Sequence, residues 1–170
     1  LLVTPSHDQT RQISNAKLRP WIEYSPMIKK YWQSTACSSH VFEKSFVNQS
    51  MIFLRSAFLT AERARGITAY DLYIDEIQSI LVHNIPILQE CLFHAENPRE
   101  VMSGTPLTLE NTANVYWQMS SQCEWLVPCD HHLPRHWNYM DERCMGLQGP
   151  ICNLCGKAIN PAEGKWVAFS

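Results

Sequence analysis

The run Asp71-Leu72-Tyr73-Ile74 stops on two adjacent carboxylates, Asp75 and Glu76, and 27 positions after Glu76 comes Ser103-Gly104-Thr105-Pro106. A short apolar segment bounded by acids reads as a buried strand that surfaces where the acids begin. Open α/β sheets gather their ligands at the carboxyl edge of the strands, so this pattern predicts Asp75 on that rim with Glu76 beside it. The Ser-Gly-Thr-Pro turn then reads as the end of a neighbouring strand. In nucleotide-hydrolysing sheets of this layout the first acid helps hold Mg²⁺ and the second can orient the attacking water. A strand that merely ends in a polar turn has the same local pattern, so the surrounding order of elements has to carry the distinction.

That order alternates. Leu1 to Thr4 reads as a strand broken at Pro5. Residues Thr10 to Trp32 carry an imperfect helical stripe that Pro20 and Pro26 are expected to interrupt, giving one helix and a second short one. Lys17, Arg19, Lys29 and Lys30 fall on its polar side and read as solvated charge. His40 to Ser56 has hairpin spacing, with a short strand at Met51-Ile52-Phe53-Leu54. A polar connection containing Arg63, Arg65 and Gly66 leads into the strand at Tyr70 to Ile74. A helix from about Gln78 to His94, broken near Pro86, precedes a strand at Glu100 to Met102. Asn111 can cap a helix over Ala113 to Met119, and Cys123 to Val127 returns as a strand. Alternation of strand and helix through residue 122 predicts an α/β fold with a mainly parallel sheet covered on both faces.

Five of the seven cysteines fall between positions 123 and 155, while Cys37 and Cys91 stand alone and read as buried free thiols. Within the cluster, Cys129-x2-His132 and Cys152-x2-Cys155 are separated by 19 residues. Each half sets two ligands on one tight turn, and two such turns can close a tetrahedron around Zn²⁺. Gly156 allows the left-handed backbone that such a turn often needs. His131, His136 and Cys144 are alternatives for the fourth ligand, with His132 preferred because it keeps the two-residue gap. Four protein ligands leave no position open for water, so the zinc is expected to be structural. Few aliphatic residues surround the motif, and metal binding is expected to supply the folding free energy. Arg135, Arg143, Lys157 and Trp137 near these turns suggest a face for DNA or a protein partner.

Charge excludes more than it proposes. With 14 basic and 16 acidic residues the net charge is −2, so no global field selects nucleic acid or an acidic membrane surface. No run of apolar residues is long enough for a membrane span, and no secretory leader is read at the start, which makes the cytoplasm the expected compartment. The first residue is not Met and lies in a strand, so the chain reads as the middle of something larger.

With these pieces in order, the sequence resembles the large subunit of the terminases that package DNA into tailed-phage proheads. The matching residues are Leu2-Val3-Thr4-Pro5-Ser6-His7 with Gln9, Ala64-Arg65-Gly66-Ile67, Leu72-Tyr73-Ile74-Asp75-Glu76, Ser103-Gly104-Thr105-Pro106, and Val127-Pro128-Cys129 through Cys155-Gly156. The resemblance implies a P-loop-type ATPase core over 1–122, a zinc-ribbon-like insert over 123–160, and the start of a return to the core over 161–170. It implies that Asp75 assists Mg²⁺, Glu76 activates water, Ser103 and Thr105 form the nucleotide sensor or coupling turn, and Arg65 is an arginine finger. Zn²⁺ would be held by Cys129, His132, Cys152 and Cys155, with Mg²⁺ and ATP in the complete protein. The implied partners are duplex viral DNA, other terminase subunits in a homo-oligomeric motor, and the portal of the prohead, all in the host cytoplasm. The sequence contains no Gly-x4-Gly-Lys-Ser/Thr, so this chain by itself is expected to be inactive. It also shows no nuclease-like set of acids after the insert. A zinc-stabilised interaction module on a degenerate α/β scaffold, or a related helicase-type ATPase, are the competing expectations.

Overall fold

The computed structural model describes residues 1–32 and 39–169. The chain divides into two units, Leu1–Val115 and Tyr116–Ser170. In the first unit, β1 (Leu2–Thr4) leads into α1 (His7–Gln12), a π turn (Ile13–Leu18) and α2 (Arg19–Tyr24). Then come β2 (Ser39–His40), β3 (Glu43–Ser45), β4 (Met51–Ser56) and β5 (Asp71–Ile74). The helix α3 (Asn84–Gln89) precedes β6 (Arg99–Met102), and α4 (Thr112–Met119) begins in this unit and ends in the second. The six strands form one sheet in the order β2-β3-β4-β1-β5-β6. β4, β1, β5 and β6 run parallel, and the hairpin spacing of β3 and β4 adds an antiparallel margin. The fold is therefore α/β with a mainly parallel sheet.

Alternation along the strands sends Val3, Leu72 and Ile74 to one face, where they are almost fully buried in a core that includes Ile77, Ile80, Ile85 and Leu88. The helical run after β1 covers the other face only over β1 and β4, where Thr10 and Ser14 are buried. Tyr73 and Val101 stay 43% and 48% exposed, and with Leu2, Leu18, Trp21 and Ile52 they line a groove of about 550 Å³. The second face is thus only partly covered, contrary to the sequence expectation, because the helices end short of β6.

Two prolines behave differently from expectation. Pro20 lies inside a helical run that continues from His7 to Tyr24. The π turn ahead of it, in which the Arg19 N–H reaches back to the Ser14 carbonyl, widens the helix where a tight carbonyl would clash with the ring. Pro86 sits in the first turn of α3, where a missing N–H costs little, so the helix begins at Asn84 and the residues before it form a short 3-10 turn (Ile77–Ser79). Asn111 does cap α4, its Oδ1 accepting the Asn114 N–H at 3.0 Å. Cys91 is buried; Cys37 lies outside the described residues.

In the second unit β7 (Glu124–Cys129) is the centre of an antiparallel sheet, flanked by β8 (His136–Tyr139) and β11 (Lys165–Val167). Between β8 and β11, β9 (Met145–Gly146) and β10 (Gly149–Pro150) pair as a small ribbon. Among the described residues no helix is long and apolar enough to cross a membrane.

Candidate functional site

The chain leaves β1 toward β4 and leaves β5 in the opposite direction toward β6. Adjacent parallel strands whose connections diverge in this way open a crevice at their carboxyl ends, where ligands of open α/β sheets bind. Here the crevice, about 150 Å³, is lined by Thr4, Pro5, Gln9, Lys17, Asp75 and Glu76, among others. Lys17 stands on its wall and is exposed, consistent with its reading as solvated charge.

Asp75 follows the last residue of β5 and is fixed through the backbone, its N–H donating to the Val3 carbonyl at 2.9 Å. Its Oδ1 accepts the Ser103 hydroxyl at 2.8 Å and the Glu76 N–H at 3.1 Å. Both donors meet the same oxygen. Ser103 is held in turn by its N–H to the Ile74 carbonyl and by its carbonyl to the Ile77 N–H. The Thr105 N–H donates to Gln78 Oε1 at 3.2 Å, which ties the turn after β6 to the turn after β5. Glu76 has a left-handed backbone, φ 53° and ψ 47°, and its Oε2 accepts from Gln9 Nε2 at 2.7 Å. Non-glycine residues hold this conformation only where their surroundings fix it, and such residues gather at functional sites. Arg65 follows the short helical turn Glu62–Ala64 and pairs with Glu62 at 3.4 Å, both side chains more than half exposed.

In the second unit Cys129, His132, Cys152 and Cys155 bring their ligand atoms within 4.8 Å of one another. Tetrahedral zinc with the usual bond lengths sets sulfur atoms ~3.8 Å apart and sulfur and nitrogen ~3.6 Å apart. The Cys129 and Cys155 sulfurs are 3.8 Å apart, and Cys152 Sγ lies 3.5 Å from His132 Nε2. The donor set and its spacing fit a metal such as zinc. The three alternatives are engaged elsewhere: His136 Nε2 meets Asn153 Oδ1 at 2.8 Å, the Cys144 thiol donates to the Tyr139 carbonyl at 3.0 Å, and the exposed His131 lies 3.4 Å from Lys157 Nζ.

The second ligand turn closes through the Gly156 N–H to the Cys152 carbonyl at 2.9 Å, with Gly156 at φ +68°. Burial raises the Cys129 thiol above its ordinary value. Burial acts in the same direction at Cys152, but the N–H groups of Cys155 and Leu154, with His132 and Cys129, bring it down to about 6. The lowered value favours the thiolate, the form that binds metal. Behind the ligands, the fully buried Asn138 donates to the Val127 carbonyl at 3.0 Å and accepts the Asn153 N–H at 3.0 Å. One side chain thus ties the strand that carries Cys129 to the turn that carries Cys152.

No family model, curated protein or solved structure gives a significant match to this chain. Arg135 and Arg143 are each paired with an aspartate in the same unit, Asp130 and Asp141, and Trp137 carries Arg135 and Lys165 against its ring. The side chains that suggested a nucleic-acid face thus already have intramolecular partners. Sequence reasoning missed Asn138, Asn153 and Gln78. The spacing Ser6-x2-Gln9 is a visible helix-start signal and marks where α1 begins at the crevice.

Proposed function

We propose that this chain is part of the ATPase motor of a viral DNA-packaging terminase, with an incomplete P-loop-type core and a zinc-ribbon-like second unit. The observation that carries the reading is the pairing of Asp75 with Ser103 across the carboxyl ends of two adjacent parallel strands, with Glu76 beside them in the crevice. Asp75 would hold Mg²⁺ through Oδ2, Ser103 fixes the rotamer of Asp75, and Glu76 takes the proton of the attacking water. Bound Mg²⁺ supplies neutralisation of charge on the transferred phosphoryl group. The phosphate-binding loop comes from outside this sequence. Among the described residues β6 has no partner on its outer edge, and the sheet face next to it is the open groove. A parallel strand added there would bring such a loop beside Ser103 and Thr105, with β6 between it and Asp75. Its connection back toward β1 would run in the same direction as the one from β1 to β4, and by the common handedness of crossovers would cover the groove. Arg65 and Thr105 keep their roles as finger and sensor within this proposal, and the Cys3His cluster holds structural Zn²⁺.

The test is ATP hydrolysis by the complete protein containing this chain and a phosphate-binding loop. Glu76→Gln is expected to lower turnover by about 10²- to 10⁴-fold, the range for loss of a general base, while nucleotide still binds. Asp75→Ala is expected to raise the Mg²⁺ requirement. Turnover indifferent to both substitutions overturns the reading. The fit of the Cys3His cluster also supports a zinc-stabilised interaction module, which predicts no Glu76-dependent hydrolysis, and a helicase-type ATPase predicts strand separation, which a packaging motor does not perform.

A further inference from the structure

The contact between Gln9 and Glu76 joins residues 67 positions apart, and its direction is fixed by the start of α1. Gln9 Oε1 accepts both the Ser6 N–H, at 3.2 Å, and the Ser6 hydroxyl, at 3.0 Å, while the Gln9 N–H returns to Ser6 Oγ at 3.2 Å. With its oxygen occupied by two donors, the amide can offer only its NH₂ group to the crevice. That group meets Glu76 Oε2 at 2.7 Å. The Glu76 backbone is held independently, by its N–H to Asp75 Oδ1 and by its carbonyl to the Ser79 N–H. Both ends of the glutamate are therefore anchored, and Oε1 is the oxygen left to act.

We infer that Gln9 is the positioning residue of Glu76: a donor locked by the Ser6 cap that holds Oε2 and thereby presents Oε1 to the crevice. The inference rests on the proposed role of Glu76 in nucleotide hydrolysis and adds the residue that sets its geometry. A misplacement of about 1 Å at a reacting group costs on the order of a hundredfold in rate, so a fixed donor at this place has a catalytic consequence without touching the nucleotide.

Gln9→Glu separates this role from helix capping. A glutamate at the same position completes the capping box as well as glutamine does, so a purely structural Gln9 predicts a variant with unchanged turnover. A positioning Gln9 predicts the opposite, because the donor is lost and a second carboxylate faces the first. The experiment measures kcat, KM for ATP and melting temperature of the complete protein for wild type, Gln9→Glu, Gln9→Ala and Glu76→Gln. Expected for Gln9→Glu is a kcat lower by about ten- to a hundredfold, with KM changed less than about threefold and the melting temperature retained. Turnover within about twofold of wild type in Gln9→Glu, alongside a Glu76→Gln variant that is inactive, overturns the inference and leaves the hydrolytic reading standing. Loss of kcat together with loss of melting temperature in Gln9→Glu makes Gln9 structural and also overturns it. Turnover that does not depend on Glu76 overturns the reading itself, and the inference with it.

Discussion

Lys44 is a cation sealed inside the first unit, 1% exposed, with its Nζ donating to Ser14 Oγ at 2.9 Å and to the His40 carbonyl at 2.6 Å. Burial lowers its pKa below the ordinary 10.5, and the positive charge of Arg19 adds to the effect. Between the lowered folded value and 10.5 the unfolded chain binds more protons than the folded one, so stability rises with pH through that window. Below the folded value the penalty is complete and constant. Lys44→Met removes this dependence, and the stability difference between variant and wild type is expected to move in favour of wild type as pH climbs from 7 toward about 10. Urea midpoints for both proteins at several pH values check it, and parallel curves would exclude Lys44 as the source. The burial of Lys44 was not legible in the sequence, where it sits between Glu43 and Ser45 in a hairpin. Its partner Ser14 is 30 positions away on a π turn that no local pattern announces.

At the level of elements, the turn after β6 depends on a missing side chain. A Cβ on Gly104 would overlap Gln78 Oε1 and lie 3.1 Å from Ile77 Cγ2 and 3.2 Å from the Ile77 backbone nitrogen. The Gln78 amide can swing away, but only by releasing the Thr105 N–H, whereas Ile77 is bonded to the Ser103 carbonyl. Gly104→Ala is therefore expected to destabilise the first unit by about 1–3 kcal/mol, the usual cost of overpacking, and to loosen Thr105. Denaturant titration gives the first effect, and faster hydrogen exchange at the Thr105 amide gives the second. β5, β6 and the hairpin of β3 and β4 were readable because apolar runs bounded by turn residues carry their own limits. The placement of Pro20 and Pro86 was not, since a proline marks a break or a first turn depending on the helix geometry ahead of it. The acid rim followed from strand polarity alone, but the bond from Gln9 to Glu76 needed the pairing of β1 with β5.

For the molecule as a whole, the two units rest on different kinds of core. The first has an aliphatic one, with Val3, Leu54, Leu72, Ile74, Ile80, Ile85 and Leu88 almost fully buried. In the second, a cluster of Val127, Cys129, Cys152 and Ile159, backed by Trp125, includes two of the four candidate metal ligands. If these ligands hold Zn²⁺, taking it away would leave thiols clustered around an empty centre and remove the link between the two ligand turns. Metal binding in small zinc modules is worth about 10–16 kcal/mol, more than so small an apolar cluster can replace. Chelation is therefore expected to unfold the second unit and spare the first. Amides of Asn153 and Ile159, bonded to Asn138 and to the Pro150 carbonyl, should lose hydrogen-exchange protection, while those of Tyr73 and Asp75, bonded to the Leu1 and Val3 carbonyls, keep theirs. Restoring Zn²⁺ should restore protection in wild type and in His136→Ala, but not in Cys152→Ser. Protection that survives chelation would mean that the hydrogen bonds of Asn138 and the pairing of β7 with β8 and β11 suffice without metal. The cysteine spacing made the ligand turns legible before any fold was known. The two-residue gap already favoured His132; what it could not show is why His136 stays out, which is that β8 sets it opposite Cys129 with its Nε2 on Asn153 Oδ1.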